Sequence, residues 1–116
     1  MSAPYQELLD NATRVVGVKG VVIVDRRDGL VITEATMEGV RSTAVAALAA
    51  SMFSQIGKVA EKARVGAPEF VHLEAENGVL LSVPGKNDTV LVAIGGPELN
   101  VGLVRLELLK IVEVFG

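Results

Sequence analysis

The spacing of apolar residues changes rhythm several times along the chain, and each change marks an element. Pro4 suits the first turn of a helix with Ser2 or Ala3 ahead of it, and Leu8, Leu9, Ala12, Val15 and Val16 then share one helical stripe. This predicts a first helix over about residues 4–17, ended by Gly17 and Gly20. The β-branched run Val21-Val22-Ile23-Val24, the turn Arg26-Arg27-Asp28-Gly29 and the run from Leu30 to Thr33 read as two strands of a hairpin.

From about Val40 to Arg64 the β-branched residues thin out and alanine becomes dense, the pattern of one long helix. Val45, Leu48, Ala49, Met52, Ile56, Val59, Ala60 and Ala63 keep helical spacing and predict the stripe that covers a sheet. Ala47, Ala50, Ser51, Ser54 and Gly57 form a second side of small residues. Two readings of that side stand open: good helix formers on a solvated face, or a close contact with another helix.

Ala67-Pro68 breaks the chain, and Phe70 to Ala75 alternate apolar residues with His72 and Glu74, a third strand with one solvated or partner-facing side. Asn77-Gly78 predicts a tight hairpin whose two central residues need positive φ, with Val79 to Val83 returning as strand four. Beyond the turn Pro84 to Asp88, Thr89 to Ile94 form an almost wholly apolar fifth strand, as befits the middle of a sheet. Gly95-Gly96-Pro97 closes it. Asn100 then caps a last helix with Val101, Val104, Leu108, Ile111, Val112 and Phe115 on one face, widened by Leu103 and Leu106. The order α-β-β-α-β-β-β-α, with hairpins between all strands except across the long helix, implies an α/β (α+β) fold. Its expected frame is a five-stranded, mostly antiparallel sheet with helices on its faces.

Composition narrows what such a fold does. The 116 residues suffice for one hydrophobic core, so residues 1–116 are expected to form a single domain. Half of the residues are hydrophobic, but the apolar runs are short and broken by Gly, Asp or Asn, which reads as a soluble chain and not a membrane-spanning one. The start MSAPYQELLD has no basic segment followed by an apolar stretch, so no secretory signal is expected and the cytoplasm is the expected location. The lack of cysteine excludes disulfides, thiolate metal sites and cysteine nucleophiles. A net charge of −3, with no basic cluster beyond Arg26 and Arg27, argues against a nucleic-acid partner. Tyr5, Phe53, Phe70 and Phe115 are also too scattered to make a stacking platform.

Chemistry-bearing constellations are thin. His72 is the only histidine, with no second imidazole to share a zinc ion, and reads as a surface or hydrogen-bonded strand residue. Ser42, Ser51, Ser54 and Ser82 lack a glycine-framed nucleophile turn. Gly95-Gly96 precedes a helix but belongs to no phosphate-loop pattern, and Pro97 removes an amide such a loop would use. Asp25, Asp28 and Glu34 lie near one hairpin without calcium-loop spacing.

Three segments resemble a known family. GVKGVVIVDRRDGLVI at 17–32, ALAASMFSQIGKVAEKA at 47–63 and NVGLVRLELLKIVEVF at 100–115 are similar to Roadblock/dynein light chain domains, of the bacterial or archaeal type that partners small Ras-like GTPases. The related longin and profilin-like folds share much of the architecture. The resemblance implies that the long second helix lies on one face of the sheet and the terminal helices on the other. It implies a homodimer in which strand three pairs with its copy and the long helices pack side by side. In bacterial members that regulate gliding polarity it further implies binding of a Ras-like GTPase through surfaces that include those helices, supporting hydrolysis without donating an arginine finger.

Placed on this chain, the candidate dimer contacts are Ala47, Ala50, Ser51, Ser54, Phe70, Val71, His72 and Leu73, and the candidate GTPase contacts are Gln55, Lys58, Glu61 and Lys62. No catalytic residue, cofactor or metal is expected, nor a function that rests on an extension beyond Gly116. The expectation is therefore a non-catalytic homodimeric module that regulates or scaffolds a small GTPase. The alternatives are a scaffold subunit that heterodimerises with another Roadblock-type chain, and a small-ligand sensor with a pocket between sheet and helix.

Overall fold

The computed structural model describes residues 4–37 and 39–115. Its elements are α1 (Pro4–Thr13), β1 (Val18–Asp25), β2 (Leu30–Thr36), α2 (Ser42–Lys62), β3 (Val71–Ala75), β4 (Gly78–Pro84), β5 (Thr89–Gly95) and α3 (Val101–Phe115), in the order the pattern predicts. The strands form one sheet in the order β2-β1-β5-β4-β3, with every neighbouring pair antiparallel. β5, the most apolar strand, holds the centre, and β2 and β3 form the edges.

Strand alternation sorts side chains into two layers. Val21, Ile23, Leu91 and Ala93 pack with Leu9 and Ala12 of α1 and with Val104, Leu108 and Ile111 of α3. Val22, Val24, Val90 and Val92 face the other way and meet Ala46, Ala49, Ala50 and Phe53 of α2. α1 and α3 thus cover one face of the sheet and α2 the other. A stretch covered on both faces must be apolar at every position, which is why Val21 to Val24 of β1 and Val90 to Ile94 of β5 read as unbroken apolar runs.

Several local expectations change. α1 stops at Thr13, short of Gly17. Its last turn tightens, with Arg14 N–H donating to the carbonyls of both Asp10 and Asn11, and Val15 N–H donating to Ala12. Val15 still reaches the core beside α1 and α3, whereas Val16 is exposed. Ser2, Ala3 and the side chain of Phe115 lie outside the described residues. Asn100 caps α3 as expected, its Oδ1 accepting from Leu103 N–H at 3.0 Å. α2 is, against the reading of the apolar runs, long and apolar enough by length and composition to cross a membrane. Its packing on the sheet through Ala46, Ala49, Ala50 and Phe53 is that of a domain helix.

The Asn77-Gly78 signal also resolves differently. Ala75 pairs with Gly78, so the turn centres on Glu76-Asn77 and Gly78 is the first residue of β4. None of these three takes a positive φ. Gly78 is required by space instead, because a Cβ there would fall on the carbonyl oxygen of Gly95 in the neighbouring β5. The left-handed pair lies in the next turn, where Asn87 and Asp88 both sit at φ 57°.

The two sheet edges differ. In β2, Thr33 pairs with Ile23 and Val31 with Val24, so Ile32 is an extra residue that bulges the strand. β3 pairs with β4 in unbroken register from Val71↔Ser82 to Ala75↔Gly78.

Candidate functional site

α2 carries most of the candidate contacts, and its orientation decides what they do. The residues it buries are Ser42, Ala46, Ala49, Ala50 and Phe53, a stripe with helical spacing made mainly of alanine. The predicted covering stripe is therefore corrected. Of its large members, Leu48 is 71% exposed and Val59 68% exposed, while Val45, Met52 and Ile56 are half-buried at its margin. Small residues at the contact let the helix backbone sit close to the sheet, and the larger side chains project from its flank. A chain whose α2 faced only water would gain more by the reverse choice, since burying a Leu stabilises by about 1.5–3 kcal/mol relative to leaving it exposed.

The two flanks of α2 face different surroundings. Val45 packs against the α2-side layer, at whose margin Val31 of β2 and Val71, Leu80 and Ile94 of the other strands also lie. The small-residue side meets the chain's own β1–β2 turn. Gly29 lies at φ 68°, and a Cβ on it would stand 3.1 Å from the Cα of Ala47. The turn is braced by Asp25, whose Oδ1 accepts from Arg27 N–H at 2.9 Å and from Asp28 N–H at 3.3 Å. The open choice between a solvated face and a helix contact thus gains a third answer at Ala47 and Ala50, which accommodate this hairpin. Ala50, placed among the dimer contacts by the resemblance, is only 6% exposed and faces its own core.

The other candidate residues distribute as follows. Ala47, Ser51 and Ser54 are exposed, and so are Gln55, Lys58, Glu61 and Lys62. On β3, His72 is exposed and Leu73 is 43% exposed, while Val71 is half-buried against the α2-side layer. Phe70 precedes the strand and packs toward α1 and α3, with the Arg105 guanidinium 4.4 Å from its ring centre. Phe70 is thus committed largely to its own domain. Of the glycine pair, Gly96 N–H donates to the Gly17 carbonyl at 2.9 Å, tying the end of β5 to the start of β1. The exposed Leu48 and Val59 escaped the sequence reading. The signal was present in Ala46, Ala49, Ala50 and Phe53, which keep an equally regular spacing.

α2 closes in a Schellman ending. Arg64 N–H donates to Glu61 O at 3.0 Å and Val65 N–H to Ala60 O at 3.1 Å, with Arg64 at φ 61° where glycine is the usual residue. Beyond it, the C-terminal half of α2, Arg26 and residues 66–68 border an open cleft of about 600 Å³.

Sheet order, helix placement and the outward apolar flank define a three-layer α+β domain with large apolar side chains exposed on α2 and a free edge at β3. The chain belongs to the Roadblock/LC7 domain family, whose pattern its residues 4–95 match. It is 30% identical over 97 residues to an uncharacterized protein of Methanocaldococcus jannaschii, covering 84% of this chain and 83% of that one. Among solved structures it superimposes on MglB of Myxococcus xanthus with a TM-score of 0.84 at 24% identity, covering 96% of this chain and 90% of the other. The gliding protein MglB of Thermus thermophilus gives a TM-score of 0.82 at 19% identity, covering 98% and 89% respectively. At such identities the likeness carries the fold, including α3, which lies beyond the matched residues.

Proposed function

We propose that this chain is a non-catalytic, cytoplasmic protein-binding module that pairs with a second copy of itself and regulates or scaffolds a small Ras-like GTPase. The observation that carries the reading is the inversion on α2, with alanines against the sheet and Leu48, Met52 and Val59 left on the flank. β3 supplies the second part, an edge strand with unpaired backbone groups, an unbroken register, Val71 against the α2-side layer and Leu73 partly exposed. A two-fold axis beside β3 would join the two sheets and lay one apolar flank against the other, an isologous contact. The dimer surface on this reading centres on Leu48, Met52, Val59, Val71, His72 and Leu73, with Ala50 removed from it. The GTPase assignment draws on family membership and on the shared fold with the gliding proteins, because the resemblance implies Ras-like GTPase partners for that branch.

Leu48→Glu tests the pairing with little risk to the fold, since Leu48 is mostly exposed within its own chain. Sedimentation velocity is expected to give a dimer for the parent chain and a monomer for the variant. A parent chain that sediments as a monomer, and pairs only with another Roadblock-type chain, would move the reading to the heterodimeric scaffold. Binding of a Ras-like GTPase encoded in the same genome, measured together with its rate of nucleotide hydrolysis, tests the second half.

A further inference from the structure

The cleft at the end of α2 concentrates positive charge in a chain whose net charge is −3. Arg26, Lys58 and Arg64 stand on its walls, with Glu61 as the acidic residue among them and Ser54 and Gly57 along the helix side. Among the described residues the ion pairs are Arg27 with Asp88 and Lys110 with Glu107, so the three cations of the cleft enter neither. Arg26 is held in place nonetheless, its guanidinium 5.1 Å from the ring centre of Phe53, which is itself anchored in the core.

Arg64 adds an independent observation. Its left-handed backbone is strained for any residue with a Cβ, and glycine would close the same Schellman ending at lower energy. The fold thus tolerates strain at the position that sets a cation beside Arg26 and Lys58. A volume of about 600 Å³ admits several side chains together, and no aromatic ring is among the described residues that line the cleft to hold a nucleotide base.

We propose that this cleft is a recognition site for an acidic segment of a partner protein, whose carboxylates are received by Arg26, Lys58 and Arg64. The inference rests on the reading of the chain as a protein-binding module and narrows it. Two of the four candidate GTPase contacts, Lys58 and Glu61, line the cleft, whereas Gln55 and Lys62 do not. The partner's contacting segment is accordingly net negative, and guanidinium groups receive its carboxylates in paired hydrogen bonds.

The test is a titration of the isotope-labelled full chain with a hexaglutamate peptide, followed by amide chemical shifts, with a hexalysine peptide and inorganic phosphate as comparisons. Hexaglutamate is expected to shift the amides of Ser54, Gly57, Lys58, Glu61, Arg64 and Gly66, with an affinity that falls as salt is raised. Arg64→Gly is expected to weaken this binding about tenfold, the loss of one charge-assisted contact, while raising Tm by several degrees through relief of the left-handed strain. Lys58→Glu is expected to abolish it. Shifts scattered over the surface, equal shifts from phosphate at the same charge concentration, or unchanged binding in Arg64→Gly would each overturn the proposal. Sedimentation of the same samples keeps the two readings separable: a dimer that ignores hexaglutamate overturns the cleft alone, and a monomer that binds it overturns the pairing alone.

Discussion

Ser82 carries a hydroxyl that is fully enclosed in β4 and has no hydrogen-bond partner among the described residues. Burying such a group unpaired costs about 1–3 kcal/mol, so Ser82→Ala should keep or raise stability by an amount within that range. Urea unfolding of the two chains measures this directly, and a marked fall in the midpoint would mean that the hydroxyl is engaged by a bound water or a partner. At the scale of single residues the sequence is legible where side chains act locally. Asn100 is a cap because its own amide oxygen reaches Leu103, and Asp25 braces the turn next to it. It misleads at Gly78, where the demand comes from Gly95 on a strand far away in the chain. Asn-Gly looks the same whether the glycine serves a backbone angle or a close approach, and only the neighbouring strand distinguishes them.

Among the elements, α2 shows how a stripe can be correctly detected and wrongly oriented. An apolar arc on a helix wide enough to hold Leu48, Val59 and Ala49 contains two overlapping stripes, and periodicity does not choose between them. The observed core stripe is rotated from the expected one by roughly a quarter-turn, at 100° per residue. The choice depends on how closely the helix approaches the sheet, and this is a property of β1 and β2 as much as of α2. The same closeness makes the buried alanines intolerant of size. Ala49→Leu is expected to destabilise by about 1–3 kcal/mol through overpacking against Val22, Val24 and Val92, read as a lowered midpoint in thermal or urea unfolding. Strand existence, helix existence and element order were all legible, because each rests on local rhythm and on turn residues. Strand ends were less so. β1 begins at Val18 and β2 runs to Thr36, since pairing with a neighbour carries a ladder past the strongest β-formers.

Across the whole molecule, sheet order could not be read from rhythm alone, since a chain of hairpins interrupted by one long helix fits more than one strand order. The central place of β5 was legible from its unbroken apolarity, and the open side of β3 from its alternation with His72 and Glu74, whereas its edge position followed only from the family resemblance. The opposite edge, β2, gave no comparable sign. Its bulge at Ile32 bears on what a β3-paired assembly becomes. Two sheets joined through β3 would carry a β2 strand at each outer rim, and two straight rims would let further copies add without end. An extra residue in β2 spoils the ladder there, so in such an assembly growth would halt after one pairing and give a pair instead of a fibre. Deleting Ile32 brings Val31 and Thr33 into regular register without changing the face either occupies. Light scattering of that variant is expected to reveal chain-length growth with concentration, and a variant that stays at a fixed size would assign the halt to some other feature of the rim.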